Sequence, residues 1–90
     1  MRLERVSASL TEVEVDGEIA IYHPVTDAVV LLNPSASAIW RLTADGPVTV
    51  EEVVPLLAEA FGIDPAEARR GVAAGIEVLV DEQLLLVDAP

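Results

Sequence analysis

The chain has no cysteine, no lysine and only three aromatic residues, Tyr22, Trp40 and Phe61. Without cysteine there is no disulfide framework, no thiolate nucleophile and no thiolate metal site, a usage that fits the cytosol. A single histidine, His23, rules out His–His and Cys–His ligand spacings, so no metal is expected. All positive charge comes from five arginines, set against 16 acidic residues, for a formal net charge of −11. That field repels phosphate backbones, whose binding depends on neutralising Lys and Arg. Nucleic acid and anionic membrane surfaces are therefore not expected partners. No apolar run approaches the roughly 18 residues of a membrane span. Arg2, Glu4 and Arg5 also break up the segment where a signal peptide would carry its apolar stretch. The chain reads as soluble and cytoplasmic.

What the chain does have is aliphatic mass. Apolar residues make up 52% of it, so the core must be built from Leu, Ile, Val and Ala, and the composition is not that of a disordered segment. Ninety residues make one domain, residues 1–90, able to bury roughly 60% of its unfolded surface. Residues 1–9 read as a flexible lead-in.

Strand patterns come first and helical patterns follow, which predicts an α+β fold with helices on one face of a small antiparallel sheet. Thr11–Val15 and Glu18–His23 alternate with period two around Asp16-Gly17. A simple two-residue loop would place Val15 opposite Glu18 and Glu14 opposite Ile19, separating the apolar residues onto different faces. A bulged turn with Gly17 left-handed restores the match and puts Val13 and Val15 on the helix side, so a bulge is expected. Pro24–Asp27 then reads as a four-residue turn that pairs Tyr22 with Val29 and Ile21 with Val30. Ala28–Leu32 is apolar on both faces. Left at the edge of a sheet, such a strand is a docking edge for an extended peptide.

Three helices follow. Asn33 caps the first with Pro34 at its opening position, and Ala36, Ile39 and Trp40 share a face. Thr49-Val50-Glu51-Glu52 is a capping box for the second, in which Val53, Leu57, Ala60 and Phe61 point inward and Pro55 interrupts the hydrogen-bond ladder. Asp64 caps the third, with Ala68, Val72, Ile76 and Leu79 as its apolar stripe and Gly71 and Gly75 inside it. Leu84–Val87 reads as a short final strand or wing.

No catalytic constellation emerges. His23 reads as a surface or turn residue, Ser35 and Ser37 as residues of a helix start, and Glu51-Glu52 as carboxylates facing a helix dipole. The chain is expected to have no enzymatic activity and no cofactor. Two features stand out, the two-sided strand Ala28–Leu32 and the pair Arg69-Arg70 in a strongly acidic chain. If the third helix lies beside that strand, the two form a groove with an apolar floor and a cationic wall.

Gly17-Glu18-Ile19-Ala20-Ile21-Tyr22, Val30-Leu31-Leu32-Asn33 and Ile39-Trp40 resemble the PqqD-like family in order and spacing. So do Thr49-Val50-Glu51-Glu52-Val53, Phe61-Gly62-Ile63-Asp64 and Leu84-Leu85. The resemblance implies a RiPP recognition element, a module serving ribosomally synthesised and post-translationally modified peptides. It implies three antiparallel strands followed by three helices, similar to a winged helix-turn-helix. It further implies binding of a precursor's leader region as an added strand between the third strand and third helix, and presentation to a modifying enzyme or leader peptidase. By the same resemblance Val29, Val30 and Leu31 would pair with the leader. Arg69, Val72, Ala73, Ile76 and Val80 would form the helical wall, and Arg69 or Arg70 would meet acidic leader side chains. Many relatives carry an acidic residue where Gly71 sits and a bulky apolar one where Gly75 sits, so small residues here would widen the groove or bring the helix closer to the sheet. The Gly-Trp ending of the pyrroloquinoline quinone proteins is missing, which points to another peptide pathway such as lasso peptide maturation.

Two competing readings share this architecture. A winged-helix DNA reader needs a basic recognition helix, but the second helix carries only acidic charge and the third only two arginines. A homodimer pairing two copies of the third strand would use the same exposed edge without a peptide ligand.

Overall fold

The computed structural model describes residues 1–88. In chain order these form β1 (Arg2–Arg5), β2 (Thr11–Val15), β3 (Glu18–His23), β4 (Ala28–Leu32) and α1 (Pro34–Leu42). They continue through β5 (Val48–Thr49), α2 (Val50–Phe61), α3 (Pro65–Asp81) and β6 (Leu85–Asp88). Two antiparallel sheets result, ordered β2-β3-β4 and β5-β1-β6. One core serves both, joining Ile19, Ile21, Val30 and Leu32 to Ile39 and Trp40 of α1, Val53 and Leu57 of α2, Leu79 of α3, and Leu3, Leu84 and Leu85. This is the expected α+β class, with a second small sheet added to it.

The helix starts follow the sequence signals. The Asn33 side chain accepts from the Ala36 amide at 2.8 Å, Asp64 accepts from the Glu67 amide at 2.9 Å, and Thr49 and Glu52 close a reciprocal capping box. Helix α2 runs through Pro55 and ends at Gly62, whose φ of 63° is left-handed. Its inner face is Val53, Val54 and Leu57, whereas Ala60 and Phe61, expected inside, are exposed.

The N-terminal lead-in is structured in part. Arg2–Arg5 is the central strand of the second sheet, pairing with both β5 and β6, and Leu3 is fully buried. Burying a leucine is worth about 1.5–3 kcal/mol. Arg5 anchors the same strand to α1. Its guanidinium stacks 3.8 Å from the centre of the Trp40 ring, donates to Thr43 Oγ1 at 3.2 Å, and donates to the Trp40 carbonyl at the helix C-terminus. Burial lowers the pKa of Arg5, and the nearby Glu12 and Asp45 carboxylates oppose that shift.

The first hairpin corrects the expected bulge. Val15 lies directly opposite Glu18, with Asp16 and Gly17 at φ values of 53° and 82°. Two successive positive φ values define the tight primed turn that matches strand twist, and Asp-Gly supplies them at low cost. The consequence is that Glu12 and Glu14, not Val13 and Val15, occupy the helix side of β2. They are accommodated because α1 offers them partners: Trp40 Nε1 donates to Glu12 at 2.6 Å and Arg41 to Glu14 at 2.7 Å. Val13 and Val15 face outward with Ala20, Tyr22, Val29 and Leu31.

Candidate functional site

Among the described residues β4 pairs with β3 alone, so its other edge is open. The hairpin phase determines which groups that edge presents. Residues flanking a two-residue loop form a hydrogen-bonded pair, and pairs alternate from there along the ladder. Val15–Glu18 is such a pair, so Glu18, Ala20 and Tyr22 turn their backbone groups toward β2, and Ile19, Ile21 and His23 turn theirs toward β4. Ile21–Val30 and Ile19–Leu32 are then hydrogen-bonded pairs, and Val30 is committed to β3. The N–H and C=O groups of Val29 and Leu31 point out from the free edge. Their side chains stand on the outer face, 72% and 63% exposed, while the Val30 side chain lies in the core.

Two contacts relate helix α3 to the two ends of this strand. Near the start of the helix Gly71 approaches Ser35, just past the end of β4. Near its end, the Gln83 carbonyl lies 3.1 Å from Nε2 of His23, whose residue pairs with Ala28 at the start of β4. The helix takes its packing from α1, α2 and β6 rather than from β4. Gly75 sets how closely α3 meets α1: a Cβ there would lie 2.7 Å from Ile39 Cδ1 and 3.2 Å from the Ala36 nitrogen. The small residues of α3 thus bring it close to α1, not to the sheet.

His23 is not the surface residue its position suggests. It is buried; its Nδ1 accepts from the Val25 amide at 3.2 Å, which leaves Nε2 to donate to Gln83. The ring ties the turn after β3 to the turn after α3.

The residues expected on the helical wall divide. Positions 69, 73, 76 and 80 share one stripe of α3, whereas position 70 lies about 100° further round with Glu77. Ala73 and Val80 are exposed and Ile76 is half-buried against the core. Arg69 is exposed beside Val50, Val54 and Pro55 of α2. Val72 belongs to the core stripe with Ala68 and Leu79; at 1% exposure it offers no surface to a ligand. Among the described residues no group of three or more His, Cys, Asp or Glu side chains is placed to hold a metal ion, and no described helix is long and apolar enough to cross a membrane.

Fold and site together define a small α+β domain in which β4 presents an uncharged strand edge without a partner among the described residues. The family described as Coenzyme PQQ synthesis protein D (PqqD) matches residues 18–85, from β3 to the first residue of β6. The chain belongs to the PqqD family. Its fold is similar to that of TbiB1 in a solved complex with the TbiA(β) leader peptide, with a TM-score of 0.80 and 23% identity over 97% of this chain and 99% of that one. At that identity the likeness is one of fold. No curated protein matches the sequence.

Proposed function

We propose that this chain binds the leader region of a ribosomally made precursor peptide as a strand added to β4, and presents it to a modifying enzyme or leader peptidase. The observation that carries this reading is the outward-facing backbone of Val29 and Leu31 on an uncharged edge. Such strand addition draws affinity from main-chain bonds and selectivity from alternate side-chain pockets. Membership of the PqqD family and the leader-bound state of TbiB1 support it. In this assignment Val29 and Leu31 bond the peptide and Val30 holds the strand in place. Ala73, Ile76 and Val80 form the apolar wall, and Val72 seats the helix from beneath. Arg69 and Arg70 attract acidic leader side chains, each exposed contact contributing at most about 1 kcal/mol. The chain acts in the cytoplasm, where the precursor is made, and catalyses no step itself.

A fluorescence-anisotropy titration with the labelled leader of a precursor encoded beside this gene tests the assignment, with a scrambled peptide and a DNA duplex as controls. Saturable binding of the leader alone, at micromolar or tighter affinity, is expected. Binding of the duplex would favour a winged-helix regulator. Absence of leader binding, together with dimer formation in size-exclusion chromatography, would favour self-pairing of β4.

A further inference from the structure

A cavity of about 730 Å³ opens on the side of α1 that faces away from α3. Helix geometry separates the two sides: Ser35, Ala36 and Ile39 meet α3, while Pro34, Ala38 and Arg41 lie about half a turn away and line the cavity. Its walls are mainly apolar, with Leu31 from β4 and Leu56 and Phe61 from α2. Leu56 is 48% exposed and Phe61, the only phenylalanine of the chain, is 44% exposed. Two large apolar side chains left half in water beside a preformed cavity have the form of an anchor pocket in a protein interface.

The charge around it selects the occupant. Arg41 is the one cation lining the cavity, and it is engaged by Glu14 at 2.7 Å. Glu18 lines the cavity close in sequence to Asp16, and residues 11–33 hold five acidic residues and no lysine or arginine. A second copy would bring a net charge of −11 against the same charge, and an anionic lipid surface would be repelled likewise. A cationic protein surface is attracted.

We infer that this cavity docks the processing enzyme, through an apolar anchor side chain set among lysines or arginines, while the edge of β4 holds the leader. This rests on the leader-binding assignment above. Its physical content is that the cavity lies on the flank of α1 turned away from α3. Leu31 takes part in both, with its backbone on the strand edge and the residue among those lining the cavity.

The test uses the full chain, the labelled leader, and the modifying enzyme or peptidase encoded beside the gene. Phe61→Asp places a charge at the cavity mouth on an exposed position. It is expected to weaken enzyme binding by about tenfold or more and to leave leader affinity unchanged. Glu18→Lys, at an exposed position, is expected to slow enzyme association and flatten its dependence on salt. Undiminished enzyme affinity in both variants would overturn the proposal. So would loss of leader affinity in a folded Phe61→Asp protein, which would give the cavity to the peptide, or loss of a parental dimer, which would give it to a second copy. Failure of the parental chain to bind leader would instead remove the reading on which the proposal rests.

Discussion

Proline substitutions at Val29 and Val30 separate the two faces of β4, because adjacent residues direct their amides to opposite sides. At Val29 proline removes an outward N–H and fills its place with a ring carbon. The preceding Ala28 is already extended, as a residue before proline must be, and an edge position tolerates the change. The fold should persist while an incoming peptide carbonyl loses its donor. An acceptor left unpaired on burial costs about 1–3 kcal/mol, or about 5- to 150-fold in Kd. At Val30 the lost donor belongs to the ladder with Ile21, inside the sheet. The same 1–3 kcal/mol then comes from a total stability of roughly 5–13 kcal/mol for a chain of this size. That corresponds to a fall in Tm of about 4–24 °C. Circular dichroism melts and anisotropy titrations on both variants check the pair. A Val30→Pro protein with parental Tm and no leader binding, beside a Val29→Pro protein that binds normally, would reverse the phase assigned to the edge and refute the reasoning.

The two helical glycines should respond with opposite sign. Gly71→Ala meets only the Ser35 hydroxyl at 3.3 Å, which can rotate, so the gain in helix propensity should stabilise the protein by about 0.5–1 kcal/mol in urea melts. Gly75→Ala has the same gain but must displace Ile39 and the α1 backbone, and overpacking of about 1–3 kcal/mol leaves a net loss of about 1 kcal/mol. Arg5→Ala removes the stack on Trp40 and the bonds to Thr43 and the Trp40 carbonyl, for a loss of about 2–3 kcal/mol followed by fluorescence of the single tryptophan. His23→Phe leaves the Val25 amide and the Gln83 carbonyl without their ring partners; it should lower stability by about 1–3 kcal/mol and speed hydrogen exchange at Val25.

Local chemistry made much of the fold legible. Asn33, Thr49 and Asp64 announce their helices because capping is decided within four residues, and the four-residue turn registers Tyr22 with Val29 as its spacing requires. The errors lie where a distant partner overrides the local pattern. Residues 1–9 read as a flexible lead-in because the strand neighbours of Arg2–Arg5 come from residues 48–49 and 85–88. Glu12 and Glu14 look like the wet face of β2 because nothing nearby shows that Trp40 and Arg41 will meet them. Phe61 looks like core, although α2 turns it onto the cavity. Of the candidate site, the open strand was readable from its two-sided apolar composition. Which of its amides faces outward was not, since that depends on the loop length of a hairpin one strand away.

The same phase explains why one edge of this sheet is suited to a ligand and the other is not. The sheet has two open edges among the described residues, β2 and β4. On β2 the outward backbone groups are those of Glu12 and Glu14, whose side chains are already held by Trp40 and Arg41. An added strand there would run beside two carboxylates and would have to avoid or break those contacts. Charged residues placed this way keep an edge from pairing. On β4 the outward groups are those of Val29 and Leu31, with no charge between Ala28 and Leu32. Changing Glu12 and Glu14 together to Thr should therefore let β2 self-associate, visible as concentration-dependent dimers in sedimentation, with leader affinity at β4 unaltered. If the double variant stays monomeric at high concentration, something other than its glutamates protects the β2 edge, and the asymmetry argued here fails.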